Sequence, residues 1–250
     1  MGSNSDASRV LSDNMMAGQE ARVQAADSRF DFGSIAEAYD SWYDTPQGMA
    51  YDIAEKRAVD RFVPRAMAGA SLLEVGCGTG HWSAFFGEHG YRVTGVDLAP
   101  EMIAVARAKG IRNASFEVAD AHALPFDDGQ FHVAAAITTL EFVDDAETVL
   151  KEMARCTAQP GGALIVGVLN SLAPLNAARK ANREPPYAEA RLFSPQELTT
   201  ALSPYGRPDV TVAAFVPRTD AALPFAPLAE FWGRLLRNQR GAFIVGQVKL

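Results

Sequence analysis

Cysteines and long apolar runs are scarce in this chain of 250 residues. The two cysteines, Cys77 and Cys156, are too few for the disulfide framework of a small secreted protein, so a reducing compartment is expected. The longest apolar runs, such as residues 163–169, are far too short to span a bilayer, and no leader with a charged and then an apolar part opens the sequence. We therefore predict a cytoplasmic protein with no membrane partner.

Positive charge is scarce as well. The chain has 23 lysines and arginines against 30 aspartates and glutamates, which gives a formal net charge of −7. A general nucleic-acid binder needs a basic face that displaces counterions from phosphates. We therefore predict no nucleic-acid partner, and we predict no metal site. The sequence leaves open whether the protein is a monomer or a homodimer.

Short apolar strands alternate with amphipathic helices from residue 71 onwards. Apolar residues make up 48% of the chain, which is enough for the core of one domain. The alternation predicts a doubly wound α/β sheet. The predicted strands lie at 71–75, 92–97, 114–118, 131–138 and 162–169. The predicted helices lie at 81–89, 100–108 and 145–157.

The regions that flank this alternation are less regular. Before it, the aromatic-rich segment 30–51 shows helical periodicity in two stretches that Pro46 separates. After it, residues 170–193 have no clear period and form a predicted insertion. A capping box that begins at Ser194 then predicts a helix to about Leu202. A strand at 209–216, a helix near 227–238 and a last strand at 242–248 follow.

A glycine-rich turn follows the first predicted strand. Glycines stand at 76, 78 and 80, a helix begins directly behind them, and Asp97 ends the next strand. Glycines let the backbone turn sharply and let a ligand lie against bare main chain. The order of strand, glycine turn, helix, strand and acid predicts a nucleotide site at the carboxyl edge of a parallel sheet.

The spacing of these glycines argues against a dinucleotide. The dinucleotide fingerprint G-x-G-x-x-G would need its third glycine at the position of His81. A nicotinamide-dependent oxidoreductase is therefore disfavoured, although it stays an alternative.

The pattern E-x-G-x-G-x-G resembles the first motif of the class I S-adenosylmethionine-dependent methyltransferases. The later stretches G-V-D-L-A-P-E-M and A-D-A-H-A-L-P-F-D-D-G-Q-F appear in the order of that family, with central motifs similar to those of ubiquinone/menaquinone methyltransferases. The likeness covers roughly residues 72–166. It implies a Rossmann-like sheet of seven mostly parallel strands with the last strand antiparallel, an N-terminal helical segment and lid insertions. It also implies S-adenosylmethionine as the cofactor and S-adenosylhomocysteine as its product.

Residues 1–29 are rich in Ser, Asp, Asn, Ala and Gln and poor in large apolar groups, which predicts a flexible or loosely helical N-terminal segment. Residues 30–250 would form one methyltransferase domain. Within the domain, residues 30–70 would form an N-terminal helical cap, 71–169 the cofactor-binding core, and 170–250 the substrate-side insertions and final strands. Residues 30–51, 170–193 and 227–238 would build the acceptor pocket. An apolar lining for this pocket would come from Phe193, Leu223, Phe225, Phe231 and Trp232, unless these side chains pack the sheet or a subunit contact.

The resemblance also implies roles for individual residues. Asp97 would accept both ribose hydroxyls, and otherwise it would cap the next helix. Asp120 would meet the adenine amino group, while Glu74 would hold the turn or approach the cationic end of the methionine. Tyr39 and Tyr43 would form an aromatic wall, with core packing as the alternative. The expected cofactor contacts are Tyr39, Tyr43, Glu74, Gly76, Cys77, Gly78, Thr79, Gly80, Asp97, Leu98, Met102, Asp120, Ala121, Ile137 and Thr138.

Catalysis would rest mainly on alignment, because a sulfonium is already an activated electrophile. A base is needed only if the nucleophile arrives protonated. The catalytic residue is not identified by the sequence, and Glu141, His81 and Tyr43 are the candidates. We predict methyl transfer to a hydrophobic or aromatic small molecule, and the alternative is a cofactor-binding scaffold of the same fold without activity.

Overall fold

The structure is a computed structural model that describes residues 32–250. The predicted flexible segment, residues 1–29, lies outside the described residues. Seven strands form one sheet in the order β3-β2-β1-β4-β5-β7-β6. The strands are β1 Ser71–Val75, β2 Arg92–Asp97, β3 Ala114–Val118, β4 Val133–Ile137, β5 Ala163–Leu169, β6 Asp209–Ala213 and β7 Phe243–Lys249.

The first five strands pair in parallel, and β7 runs antiparallel between β5 and β6. The strand order reverses between β1 and β4, which is where ligands bind in open α/β sheets, at the carboxyl ends of the strands. Seven α-helices connect the described strands or precede them. They are α1 Pro46–Asp60, α2 His81–Glu88, α3 Pro100–Ala108, α4 Ala146–Cys156, α5 Pro174–Ala181, α6 Pro195–Leu202 and α7 Ala226–Leu235.

Alternate residues of each strand point to opposite faces of the sheet and build two apolar layers. On one face Leu73 and Leu164 pack with α4 and α6. On the other face Leu72 and Ile165 pack with α1 and α2. The helix α3 adds a smaller cluster at the β3 edge, around Phe116. Among residues 32–250, no helix combines the length and the apolarity that crossing a bilayer requires.

The sequence pattern located most elements of the sheet to within a few residues. The predicted strands 71–75, 92–97 and 114–118 coincide with β1, β2 and β3. The capping box that begins α6 is present, since Ser194 accepts from the Glu197 N–H and Glu197 accepts from the Ser194 N–H. The predicted fold is confirmed.

The N-terminal segment is less helical than its periodicity suggested. Two short 3₁₀ turns, Gly33–Ile35 and Tyr39–Trp42, precede α1. Helix α1 begins at Pro46, where the Thr45 hydroxyl oxygen accepts a hydrogen bond from the Gly48 N–H at 2.9 Å. A Cβ on Gly48 would collide with the Trp42 carbonyl, so a glycine is required for this close turn.

The insertion 170–193 contains a helix that the sequence pattern did not predict. Helix α5 is only eight residues long, and it starts at Pro174, a common first residue of helices. Its buried Asn176 donates to the carbonyls of Asn170 and Ala242 and thereby fastens α5 to the sheet. Short helices that are held by tertiary contacts leave little periodicity in the sequence.

Candidate active site

A cavity of about 310 Å³ opens at the carboxyl ends of β1, β2, β3 and β4. It lies at the point where the strand order reverses, as the glycine turn predicted. It is lined by Phe32, Tyr39, Gly76, Gly78, Val96, Asp97, Leu98, Met102, Ala119, Asp120, Ala121, His122, Thr138, Thr139, Phe142, Val143 and Asp144.

The structure divides the predicted cofactor contacts into two groups. The residues that line the cavity are Tyr39, Gly76, Gly78, Asp97, Leu98, Met102, Asp120, Ala121 and Thr138. The predicted residues that do not line the cavity are Tyr43, Glu74, Cys77, Thr79, Gly80 and Ile137. The cavity lining therefore follows strand ends and turn glycines, while the residues between them pack inward.

The glycine turn presents main chain to the cavity at Gly78. All three glycines have left-handed backbone angles, with φ of +70° at Gly76, +51° at Gly78 and +80° at Gly80. A side chain on Gly76 would collide with Thr139, and one on Gly80 would meet Ile111. On Gly78, by contrast, the nearest heavy atom to an added Cβ would be the Met102 sulfur, 4.0 Å away. The space over Gly78 is therefore left open for a ligand.

Asp97 holds the turn and lines the cavity at the same time. Its Oδ2 accepts from the Gly78 N–H at 2.9 Å, and its Oδ1 accepts from the Ala99 N–H, also at 2.9 Å. Burial raises the pKa of Asp97, and these backbone hydrogen bonds oppose the rise. Each carboxylate oxygen keeps a lone pair that a hydroxyl could use. Asp97 does not cap α3, because the N-cap residue of that helix is Ala99 and no side chain caps it.

Asp120 lies across the cavity at the end of β3. Its Oδ1 accepts from the His122 N–H at 2.9 Å and contacts His122 Nδ1 at 2.8 Å. His122 was not predicted to belong to the site, yet its ring lines the cavity and contacts the Asp120 carboxylate. The arrangement leaves Oδ2 as an acceptor that could bind an amino group.

Thr138, at the end of β4, has a strained backbone. Its φ of +51° is unusual for a β-branched residue, and its N–H is held by the Gly167 carbonyl at 2.8 Å. Such conformations persist where the surrounding structure enforces them, and they cluster at functional sites. The strain turns the chain across the cavity before the short 3₁₀ helix Leu140–Phe142.

Glu74 is buried beneath the turn and points to helix α2. It is 2% exposed, and the Ser83 hydroxyl donates a hydrogen bond to its Oε2. Burial raises the pKa of Glu74 to about 8, and the nearby Asp97 adds to the rise. Of the two roles considered for Glu74, this geometry favours holding the turn.

The N-terminal segment is tied to the glycine turn by Asp40. Its Oδ1 accepts from the Thr79 hydroxyl at 2.7 Å, and its Oδ2 lies 2.5 Å from the Lys109 ammonium. Lys109 also donates to the Thr79 carbonyl at 2.8 Å. This contact, which we call the Asp40 latch, places the neighbouring Tyr39 in the cavity wall.

His81 and Tyr43, two of the base candidates, pack against each other. Their rings stack at 3.7 Å between centroids and 5° between planes. His81 Nε2 lies 2.7 Å from Asp52 Oδ1. Burial raises the pKa of the Tyr43 hydroxyl far above its usual range. The two rings hold the N-terminal segment against α2, which argues against either of them as the base.

Glu141, the third base candidate, is 1% exposed. The Leu169 N–H donates to its Oε1, and its Oε2 has no hydrogen-bond partner among the described residues. Burial raises the pKa of Glu141 to about 7, and the Leu169 hydrogen bond opposes the rise. A carboxylate with one free oxygen and a pKa near neutrality has the properties of a general base.

The predicted apolar lining of the acceptor pocket is not assembled as one surface. Phe193 is buried in the core with α4 and α6. The side chains of Phe225, Phe231 and Trp232 are about half exposed on and beside α7. Three residues that were not predicted for the site are Glu55, Arg179 and Tyr187. Burial raises the pKa of Tyr39, and Tyr187 and Glu55 add to the rise. Arg179 lies over the Tyr187 ring at 4.6 Å.

One of these three residues left a signal in the sequence. Glu55 falls four residues after Tyr51 and three before Ala58, on the stripe of α1 that faces the core. A charged residue within an apolar helical stripe is unusual and indicates a paired or functional group. Arg179 and Tyr187 belong to the aperiodic insertion and left no comparable signal.

The comparison with known proteins agrees with the nucleotide site that the cavity geometry indicates. A family model described as a methyltransferase domain matches residues 73–166. An uncharacterised protein of Mycobacterium tuberculosis is 32% identical over 177 residues, which cover 70% of this chain and 59% of that protein. A ubiquinone biosynthesis O-methyltransferase of Xanthomonas oryzae is 35% identical over 108 residues, or 42% of this chain and 45% of that protein. The matches thus span less than two thirds of either relative.

Among solved structures, an S-adenosylmethionine-dependent methyltransferase of Thermotoga maritima, described as a possible histamine N-methyltransferase, is 27% identical. The alignment has a TM-score of 0.67 and covers 86% of this chain and 96% of that one. The strand order and the family match lead to one conclusion. Residues 73–166 match a methyltransferase domain, and the strand order of the sheet agrees with the Rossmann-like fold of class I S-adenosylmethionine-dependent methyltransferases, the family that the chain resembles.

Proposed function

We propose that this chain transfers a methyl group from S-adenosylmethionine to a small-molecule acceptor that binds on the far side of Tyr39. The observation that carries the proposal is the edge formed by Gly78 and Asp97. There an open glycine backbone lies beside a carboxylate whose oxygens are already oriented by two N–H donors. Such an edge fits a ribose that lies close to main chain.

The cavity offers partners for the ribose and the adenine of the cofactor. Asp97 would accept the ribose hydroxyls, and Asp120 Oδ2 would accept the adenine amino group. Apolar contact with the adenine would come from Leu98 and Met102, both of which line the cavity. The negative charges of these aspartates also suit a cofactor with cationic sulfonium and ammonium groups. The residues present therefore fit S-adenosylmethionine.

When bound, S-adenosylmethionine supplies an activated methyl group on a sulfonium. The chain's own residues then have three tasks, which are to orient the acceptor, to exclude water and to take a proton where one must leave. Tyr39, which the Asp40 latch holds in the cavity wall, would separate donor and acceptor sides until the acceptor enters. Of the three candidates, Glu141 is the proposed base, because its Oε2 has no hydrogen-bond partner among the described residues.

The names of the similar proteins leave the accepting atom open. The Xanthomonas relative is called an O-methyltransferase, whereas the Thermotoga neighbour is described as a possible N-methyltransferase. Both names concern small-molecule acceptors, which supports that class for this chain as well. Whether an oxygen or a nitrogen atom accepts the methyl group depends on the side chains of this chain that bind the acceptor.

Calorimetric titration with S-adenosylhomocysteine tests the donor site. We expect Asp97→Asn to weaken binding about 100-fold, because it removes the charge that two hydroxyls would share. Asp128→Asn is the matched control, since the Asp128 side chain is 82% exposed and does not line the cavity. Equal affinity of the wild type and Asp97→Asn, or tighter binding of NADH than of S-adenosylhomocysteine, would contradict the proposal.

A second measurement separates an enzyme from a binding scaffold. The protein is incubated with methyl-labelled S-adenosylmethionine and the small-molecule fraction of a cell extract. We expect labelled product with the wild type and none above background with Asp97→Asn. Tight S-adenosylhomocysteine binding without transfer of label to any fraction would favour the scaffold.

A further inference from the structure

His122 bridges two loops that border the cofactor cavity. One loop follows β3 and contributes residues 119–122 to the cavity lining, and the other precedes α4 and contributes residues 142–144. The His122 ring contacts the first loop at Asp120 and the second loop at the N–H of Asp145. A residue that bonds to both loops sets the geometry with which this end of the cavity meets a ligand.

The main chain determines which ring nitrogen of His122 carries the proton. The Asp145 N–H donates to His122 Nε2 at 3.3 Å, and a backbone N–H can act only as a donor. Nε2 therefore offers a lone pair, so the proton of the neutral ring lies on Nδ1. Nδ1 is 2.8 Å from Asp120 Oδ1 and donates its proton to this oxygen.

Asp145 is a firm anchor for the ring because it is the N-cap residue of α4. Its Oδ1 accepts from the N–H groups of Glu147 and Thr148 at 3.0 and 3.2 Å, and its Oδ2 accepts from the Thr148 hydroxyl at 2.6 Å. These bonds hold the Asp145 backbone in the extended conformation of an N-cap, with φ of −133°. The N–H that orients His122 thus belongs to a helix terminus.

Two donors of residue 122 bond to the same oxygen of Asp120. The His122 N–H donates to Oδ1 at 2.9 Å, and the ring donates to Oδ1 at 2.8 Å. The terminal torsion of an aspartate is broad and roughly two-fold, so a single donor would leave the carboxylate free to turn. The second donor restrains its plane. Oδ2, which no donor within residues 32–250 reaches, is then the oxygen available to a ligand in the cavity that Asp120 lines.

We propose that His122 is a positioning residue that makes the site specific for the 6-amino group of adenine. It holds the Asp120 carboxylate so that Oδ2 is presented to the base as an acceptor. This inference rests on the proposed methyl-donor site and names the residue that controls which base the site accepts. A purine without the amino group would leave a carboxylate oxygen unpaired beneath the base, and sites built to bond a donor reject analogues that lack it.

A second histidine–aspartate pair lies outside the cavity and provides a matched control. His89 Nε2 lies 2.7 Å from Asp60 Oδ1, and His89 Nδ1 contacts the Phe85 carbonyl at 2.8 Å. The two histidine side chains are similarly exposed, at 29% for His122 and 28% for His89. Of the two pairs, only that of His122 lines the cavity. A substitution of His89 therefore removes a comparable contact without altering the site.

Three substitutions separate the two contacts of the His122 ring. Asparagine carries its amide nitrogen on Cγ, as the ring carries Nδ1, so His122→Asn keeps a donor for Asp120 and does not reach Asp145. Glutamine is one carbon longer, so His122→Gln keeps an acceptor for the Asp145 N–H and has no donor on Cγ. His122→Ala removes both contacts. All three keep the backbone N–H that donates to Asp120.

The experiment compares two ligands by calorimetric titration, S-adenosylhomocysteine and its analogue with hydrogen in place of the 6-amino group. For the wild type we expect an affinity ratio of about 30-fold in favour of S-adenosylhomocysteine, as one charge-assisted hydrogen bond would give. His122→Ala and His122→Gln should lower this ratio to about 5-fold or less, whereas His122→Asn should keep it within about 2-fold of the wild type. His89→Gln should leave the ratio unchanged. A general loss of structure would weaken both ligands alike and would not change the ratio.

Nitrogen-15 NMR of the histidine rings tests the tautomer separately. In mildly alkaline buffer, where the ring is neutral, we expect the His122 proton on Nδ1. A proton on Nε2 would overturn the proposal, because Nε2 could not then accept from the Asp145 N–H.

The titrations distinguish this inference from the proposed function. If S-adenosylhomocysteine does not bind, the proposed function fails before the base is tested. If it binds and the analogue binds equally tightly, the donor site stands and recognition of the amino group by Asp120 and His122 is overturned. A ratio that stays at the wild-type value in both His122→Ala and His122→Gln would overturn the role of His122 alone.

Discussion

The residues on the two sides of Tyr39 differ in chemical type. The donor side is the cofactor cavity, and the acceptor side is the region where we propose that the methyl acceptor binds. On the donor side, the groups that face the cavity are main chain at Gly78 and carboxylates whose oxygens already accept backbone N–H groups, as in Asp97. On the acceptor side, Glu141 keeps one carboxylate oxygen, Oε2, that is buried without a hydrogen-bond partner among the described residues. The donor side is satisfied without its ligand, whereas the acceptor side is not.

This difference suggests how each side responds to substitution. Side chains on the donor side accept hydrogen bonds from the backbone around them. Their loss should therefore affect both the local structure and the affinity for the cofactor. Side chains on the acceptor side have few internal partners, so their loss should affect ligand choice more than folding. The following variants test this contrast, in order of decreasing effect on cofactor affinity.

Gly78→Ala is the sharpest test of the donor side. An alanine would place a methyl group in the space left open over the turn, and we expect S-adenosylhomocysteine to bind about 10-fold more weakly. The left-handed φ of +51° should also cost about 1–2 kcal/mol of folding free energy. Calorimetric titration and thermal melting measure the two effects.

Gly69→Ala is the matched control for this variant. Gly69 also has a left-handed φ, +82°, and an added Cβ would meet no heavy atom within 4 Å. It should lose similar stability and keep its affinity for S-adenosylhomocysteine. A similar loss of affinity in both variants would show that backbone strain, and not the open space over Gly78, controls binding.

The Asp40 latch should have a smaller effect. Asp40→Asn keeps an acceptor for the Thr79 hydroxyl and removes the charge that pairs with Lys109. Because both side chains of the ion pair are about one-third exposed, the loss should be about 0.5–1 kcal/mol, or roughly 2- to 5-fold in S-adenosylhomocysteine affinity. Glu189→Gln breaks a more exposed ion pair with Arg183 and serves as the control. Unchanged affinity in Asp40→Asn would mean that Tyr39 needs no latch.

Glu74→Gln should leave cofactor affinity unchanged and alter the pH dependence of stability. Burial raises the pKa of Glu74 from 4.5 to about 8, so the folded protein keeps a proton that the unfolded chain releases. The free energy of unfolding therefore falls as pH rises from about 4.5 to about 8. In the variant, the slope of the free energy of unfolding against pH should change by the equivalent of up to about one bound proton. Denaturant titrations at several pH values measure this slope. A parallel loss of S-adenosylhomocysteine affinity would place Glu74 in the binding site itself.

The determinants of the predicted donor side are local in the sequence. A glycine turn, a strand and a terminal acid occupy consecutive positions, so the spacing of Gly76, Gly78 and Asp97 is visible without the fold. Where the prediction extended to Cys77, Thr79 and Ile137, it included residues that do not line the cavity. Strand alternation sends neighbouring residues in opposite directions, and a contiguous motif does not show which ones face the ligand.

The acceptor side was harder to predict because it is assembled over long distances. Glu55, Glu141 and Tyr187 belong to three separate parts of the chain, and only tertiary packing brings them together. Apolar residues such as Phe231 and Trp232 suggested a hydrophobic lining, yet their exposure on α7 became apparent only in the folded chain. Composition indicated that aromatic groups were available, and it did not indicate where they lie.

The position of Tyr39 in a wall common to both ligands has a thermodynamic consequence. A cofactor that fixes this ring would reduce the ordering that the acceptor must still impose, so each ligand should strengthen the binding of the other. Linkage requires the two enhancements to be equal. Donor and acceptor affinities would then form one coupled quantity, and the ring that separates the two ligands would also be the element through which they cooperate.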